Sequence, residues 1–220
     1  MRIAHISDPH FFRLNYSFAH FFSKRWLGNL NLLFNRKGEL FIDRLRLLPL
    51  FFKSKGVTDV VISGDLTTTS CKKEFEKATA FVRLFEQEGM RVILIPGNHD
   101  HYTKKACNSK LFYEYFPTTY APQKSAHPNL RDDRHTLIEL PNNWVMLLLD
   151  TSLASNLFNS TGKFSTHLHD KLKNTLQLLA NKSILLVNHF PFMPTGPKKR
   201  QMIGSRHFQT LLEDHPNIKL

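Results

Sequence analysis

Apolar residues gather into short runs at residues 2–7, 59–63, 91–95 and 183–188, with a similar run at 144–150, each bounded by polar or turn-forming residues. Runs of this length, rich in Val, Ile and Leu, predict buried strands. Between them, residues 38–55, 72–89 and 166–181 carry apolar residues at spacings of three and four, the pattern of amphipathic helices. Strands alternating with helices predict an α/β domain with a substantially parallel core. Stretches 102–134 and 190–206 are broken by prolines and turn residues and read as irregular. Asn217, Ile218, Lys219 and Leu220 read as the start of a further strand.

The polar residues that follow the strands carry the chemical information. The first run leads into Asp8-Pro9-His10, the second into Gly64-Asp65, the third into Gly97-Asn98-His99-Asp100 and the fourth into His189. Ligands of open α/β sheets bind at the carboxyl ends of the strands, so all four clusters are expected to converge there. Carboxylate, imidazole and amide oxygen suit manganese, iron or zinc, and no thiolate is among them. Asp8 and His10 would share one face if the strand continued through them. Asp65 has two oxygens and can bridge two ions, with Asn98 and His189 completing the second set, while Gly64 and Gly97 let the backbone approach closely. Taken singly, Asp8-Pro9 and Gly64-Asp65 read as turns, Asn98-His99-Asp100 as a helix cap and His189 as a hydrogen-bonded structural histidine. Their order, and their shared position at strand ends, favour the metal site.

Composition narrows the setting. With 220 residues and 41% hydrophobic content, one domain spanning residues 1–220 is expected. Thirty Lys and Arg against 18 Asp and Glu give a net charge of +12, which suits an anionic partner: a phosphorylated substrate, nucleic acid or an acidic membrane surface. A solvated basic surface explains the same charge. Two cysteines, Cys71 and Cys107, form neither a disulfide framework nor a zinc knuckle, and a reducing cytoplasm fits them. No secretory signal is visible, and no apolar run approaches the roughly 20 residues of a spanning helix.

The ordered set D-x-H, G-D, G-N-H-D and His resembles the calcineurin-like metallophosphoesterase superfamily, over nearly the whole chain. That resemblance implies a two-sheet β-sandwich flanked by helices, in four layers, with a dimetal site at one edge. It implies one ion held by Asp8, His10 and Asp65 and a second held by Asp65, Asn98 and His189, with manganese favoured over iron or zinc. His99 would act at the leaving group as general acid, and Asp100 would orient its ring. The family's G-H-x-H motif, expected just after the strand that begins near residue 217, is absent. His207 and His215 do not replace it. The resemblance therefore implies a C-terminally truncated chain with incomplete metal shells, weak metal retention and low activity.

The resemblance implies a phosphoesterase that cleaves a phosphodiester or pyrophosphate bond in a small molecule. Bacterial members suggest a cyclic nucleotide or a UDP-linked lipid precursor as substrate, and the charge adds nucleic acid. A non-catalytic binding module or scaffold on the same fold is the alternative, disfavoured by the retained His99 and Asp100. The chain has nineteen phenylalanines, and several cluster early, with Phe11, Phe12, Phe18, Phe21, Phe22 and Phe34 beside Trp26, Lys24, Arg25, Arg36 and Lys37. An aromatic-rich insert at 11–40 is expected to fold as a cap beside the site; a peripheral contact with an anionic membrane is the second reading. Lys104, Lys105, Lys198, Lys199, Arg200 and Arg206 lie near the motif loops and could hold substrate phosphate. His5, His101, His127, His135, His167 and His169 read as structural or solvated, with His101 and Tyr102 also candidates to line the pocket.

Overall fold

The computed structural model describes residues 1–12, 44–117, 128–154, 161–193 and 201–219. Beyond Phe12, the expected cap insert lies outside the described residues, as do His127, Lys198, Lys199 and Arg200.

Two sheets form the framework. The first contains β1 (Ile3–Ile6), β2 (Asp59–Ser63) and β3 (Arg91–Ile95), all parallel and in the order β1-β2-β3. The second contains β4 (His135–Leu140), β5 (Trp144–Leu149), β6 (Ser183–Val187) and β7 (Ile218–Lys219) in chain order. There β4 and β5 are antiparallel, joined by a tight turn, and the remaining pairs are parallel. The sequence pattern finds every strand but β4, whose HTLIEL carries polar residues between its apolar ones and so lacks a continuous run.

Alternation sorts the second sheet's side chains by layer. Ile138, Leu140, Met146, Leu148, Leu185 and Val187 join the residues of β2 and β3 in the core between the sheets. The alternate residues Leu137, Val145, Leu147, Leu149, Ile184 and Leu186 face outward and pack on Leu168, Leu172, Leu176, Phe208 and Leu211. These last belong to α6 (Thr166–Leu178) and α7 (Ser205–Glu213). The first sheet is covered by α1 (Leu48–Ser54) and α2 (Lys72–Gln87), which buries Phe75, Ala78, Phe81, Val82 and Phe85. The four-layer sandwich follows from these two faces.

Capping fixes where α2 begins. The fully buried Glu74 carboxylate accepts from the backbone N–H groups of Cys71 and Thr69 and from the Thr69 hydroxyl, closing a capping box. Three short helices, α3 (Lys104–Asn108), α4 (Leu111–Tyr115) and α5 (Leu130–Asp133), lie in the stretch read as irregular. At four or five residues each, they are too short for a helical period to register in sequence. Phe11, the first of the early aromatics, is a core residue, 4% exposed, bridged to Thr67 and packed on Phe81 with ring centroids 5.1 Å apart. No described helix is long and apolar enough to cross a membrane.

Candidate metal centre

The motif residues follow β1, β2, β3 and β6, at the carboxyl ends of the strands, and the fold gathers them at that end of the sandwich. Chain direction changes abruptly there. Asp8, His10 and Asp65 adopt left-handed backbone conformations, with φ of 57°, 48° and 54°, which in non-glycine residues cost on the order of 1–3 kcal/mol each and tend to cluster at functional sites. The expectation that Asp8 and His10 share a strand face is therefore corrected: the strand ends at Ile6, and the two side chains converge because the segment turns around buried Pro9. Main-chain bonds hold that turn to the next loop, Asp8 N–H donating to Gly64 O at 3.2 Å, His10 N–H to Asp65 O at 3.0 Å and Phe11 N–H to Leu66 O at 2.7 Å.

One ligating atom each from Asp8, His10 and Asp65 lies within 4.8 Å of the others. His10 Nε2 is 3.6 Å from Asp8 Oδ1 and 3.8 Å from Asp65 Oδ2. On the other side, His189 Nε2 is 3.6 Å from Asp65 Oδ1. These separations exceed hydrogen bonds, and they match donors that share an ion at about 2.0–2.2 Å from each. His189 Nδ1 sits 2.7 Å from the Ser63 carbonyl, which can only accept, so Nδ1 carries the proton and Nε2 presents a lone pair toward Asp65. Asn98 is buried on the turn after β3. The donor set thus suits two divalent ions with Asp65 between them.

The glycines are required by space as well as by turn geometry. A Cβ on Gly64, at φ 92°, would lie 2.7 Å from both Gly97 N and His189 Nδ1, and one on Gly97 would run into the Asp65 carboxylate.

His99 is placed beside the ligands rather than among them. Its N–H donates to Asp65 Oδ1 at 2.7 Å, and its ring Nδ1 lies 2.7 Å from the Thr68 carbonyl. The ring meets His10 edge-on at 4.8 Å and stacks on Tyr102 at 5.5 Å with 18° between planes. The orienting role assigned to Asp100 falls to Thr68 in this geometry. Asp100 is fully buried and accepts from the N–H groups of Gly97, Leu66 and Thr67 and from the Thr67 hydroxyl, lacing the two motif loops together. Ser70 adds a second lace: its hydroxyl donates to His99 O at 2.8 Å and accepts from Tyr102 N–H at 2.6 Å. Thr67, Thr68 and Ser70 escaped the sequence reading, although the hydroxyl-rich run Leu66-Thr67-Thr68-Thr69-Ser70 directly after Asp65 was a visible signal.

Charge is unevenly distributed over these groups. Burial would raise the Asp8 carboxyl, but the neighbouring His10 ring and the hydrogen bond from Ser7 outweigh it and bring the group down to about 2. Burial would lower His10, yet the carboxylates of Asp8 and Asp65 hold it above its ordinary value. Burial, and next the charge of Asp65, push Asp100 up to about 7 against its three backbone donors. A site rich in anionic groups before any cation is added is what a dication binder requires.

Behind the loop lies a buried polar knot. The Asp150 carboxylate, at the end of β5, accepts from Tyr113 Oη at 2.8 Å, Arg134 Nη2 at 3.2 Å and Ser152 N–H at 3.0 Å. Ser152 Oγ also lies 3.2 Å from His101 Nδ1. His101 is 3% exposed and packs edge-on to Tyr113, so it supports the loop from within. His5, on β1, pairs its Nε2 with Ser63 Oγ at 2.7 Å. Lys104 and Lys105 are exposed at the start of α3, directly after the motif loop, and Arg206 is exposed on α7.

No curated protein matches the chain. Among solved structures, a dimetal phosphatase from Danio rerio has a similar fold, with a TM-score of 0.64 at 15% sequence identity, covering 98% of this chain and 78% of that one. The calcineurin-like phosphoesterase model matches residues 1–219, and the chain belongs to that family.

Proposed function

We propose that the chain hydrolyses a phosphodiester or pyrophosphate bond in a small molecule with two divalent metal ions, manganese for preference. The observation that supports this most directly is the Asp65 carboxylate, one oxygen facing His10 and the other facing His189. Asp8, His10 and Asp65 would hold one ion, and Asp65, Asn98 and His189 the other. Bound there, such ions supply Lewis-acid activation of the phosphoryl group and of the attacking water.

The chain's own residues do the rest. Thr68 O accepts from His99 Nδ1, so the ring can give a proton from Nε2 to the leaving-group oxygen and remain in the tautomer that the carbonyl stabilises. Asp65 fixes the His99 backbone, and the Asp100 and Ser70 laces keep the loop in place. The exposed Lys104 and Lys105 next to the loop favour an anionic substrate. A cyclic nucleotide and a UDP-linked lipid precursor are the substrates to try first, with nucleic acid the further option that the net charge of +12 suggests.

The deciding assay is hydrolysis of bis-p-nitrophenyl phosphate by the chain with and without Mn²⁺. Turnover that needs the metal and disappears in Asp65→Asn supports the proposal. Absence of turnover in a sample shown by calorimetry to be metal-loaded would leave the binding-module reading in its place.

A further inference from the structure

The outer face of α1 has no protein partner among the described residues. Leu47, Leu50 and Phe51 are 65%, 60% and 53% exposed. Their spacing puts them on one side of the helical turn, while Leu48, Pro49 and Phe52 face the core. Cations surround them. Arg44, Arg46, Lys53 and Lys55 are all exposed, and Lys55 Nζ lies 5.5 Å over the Phe51 ring. The acid in contact with this group is Glu88, paired with Lys53 at 2.6 Å.

We infer that this face is a peripheral docking surface for an anionic lipid bilayer. Large apolar side chains ringed by cations match the two layers of a membrane interface: Leu47, Leu50 and Phe51 enter the boundary with the acyl chains while the arginines and lysines meet anionic headgroups. Protein–protein interface cores are instead depleted of charge, and lysine is disfavoured in them. Among the described residues, the excess of cations on this face complements a lipid surface better than a protein groove. The Arg2 side chain donates to Lys55 O, fixing the end of α1 to the start of β1. The inference does not depend on the proposed hydrolytic activity.

Co-sedimentation of the full chain with vesicles tests it. The chain should pellet with phosphatidylcholine vesicles doped with phosphatidylserine, much less with pure phosphatidylcholine, and less as salt is raised. Leu50→Glu with Phe51→Glu should abolish pelleting, and Arg44→Glu with Arg46→Glu should weaken it by about fivefold or more per cation removed. The substituted side chains are exposed, so both double variants should melt as the wild type does; the arginine pair tests the surface even if the apolar pair fails to fold. Absence of binding to phosphatidylserine vesicles at low salt would overturn the inference. So would wild-type binding by either double variant, or a change from dimer to monomer on Leu50→Glu with Phe51→Glu, which would make the face a self-association surface.

Discussion

His99 Nδ1 rests on the main-chain carbonyl of Thr68, 2.7 Å away, so the ring is oriented by backbone rather than by an acidic side chain. Replacing His99 with Ala should lower the single-turnover rate by roughly 10²- to 10⁴-fold and leave metal affinity, measured by calorimetry, close to wild type. Thr68→Ala keeps the carbonyl and should change the rate little. A His99→Ala protein that lost its metals but turned over normally would refute the assignment.

Tyr102 stacks on that ring and shares Ser70 with the His99 backbone. Tyr102→Phe preserves the stack and should retain kcat. Tyr102→Ala should reduce kcat several-fold with KM nearly constant, because a loosened ring affects the chemical step more than substrate binding. Steady-state kinetics on the two variants separates these outcomes.

Gly97→Ala should be among the most damaging small changes in the protein. Its methyl group collides with the Asp65 carboxylate, the group shared by both proposed ion positions. Loss of Mn²⁺ binding by calorimetry, with a melting temperature lowered by a few degrees, is expected; near-normal affinity would mean that Asp65 does not bridge.

Metal should also be visible without any substrate. A ligand at 100 times its Kd adds about 2.7 kcal/mol to the stability of the folded state, which for a chain of this size raises Tm by roughly 5–10 °C. Differential scanning calorimetry should show such a rise with Mn²⁺ for the wild type and none for Asp65→Asn.

The polar knot makes a prediction about acid. Burial would raise the Asp150 carboxyl, but Arg134 and then His101 and Ser152 hold it below its ordinary value. Burial keeps His101 below its ordinary value too. Both groups bind more protons unfolded than folded, so stability falls as pH drops, through His101 from about pH 6.5 downward and through Asp150 below about pH 4. His101→Gln should flatten the first part of that decline in chemical denaturation curves. Asp150→Asn should cost about 1–3 kcal/mol near neutrality by weakening the buried acceptor of Tyr113 and Ser152, and flatten the second part.

How far the sequence could be read depended on how each feature is built. The strands β2, β3, β5 and β6 announce themselves because heavy burial demands runs of Val, Ile and Leu, and the edge strand β1 shows a shorter apolar run around exposed His5. β4 mixes Thr136 and Glu139 with apolar residues and is recognisable only beside its partner β5. The proposed metal ligands stand out in the sequence because the chemistry restricts them to few residue types at strand ends. What Asp8 and His10 do with their backbone was not, since left-handed turns in non-glycine residues arise from the bonds to Gly64, Asp65 and Leu66 in the neighbouring loop. Asp100 was misassigned for a related reason. Adjacency in sequence suggested contact with the His99 ring, whereas its oxygens face main-chain donors some thirty residues away in sequence.

His189 is the motif residue contributed by the second sheet, and it already reaches the first through Ser63 O. Chain order therefore sets an order of assembly during synthesis. The donors that this chain offers one proposed ion position have all been made by residue 65, while the other waits for residue 189, so its capture of metal would coincide with closure of the sandwich and report that the two layers have met.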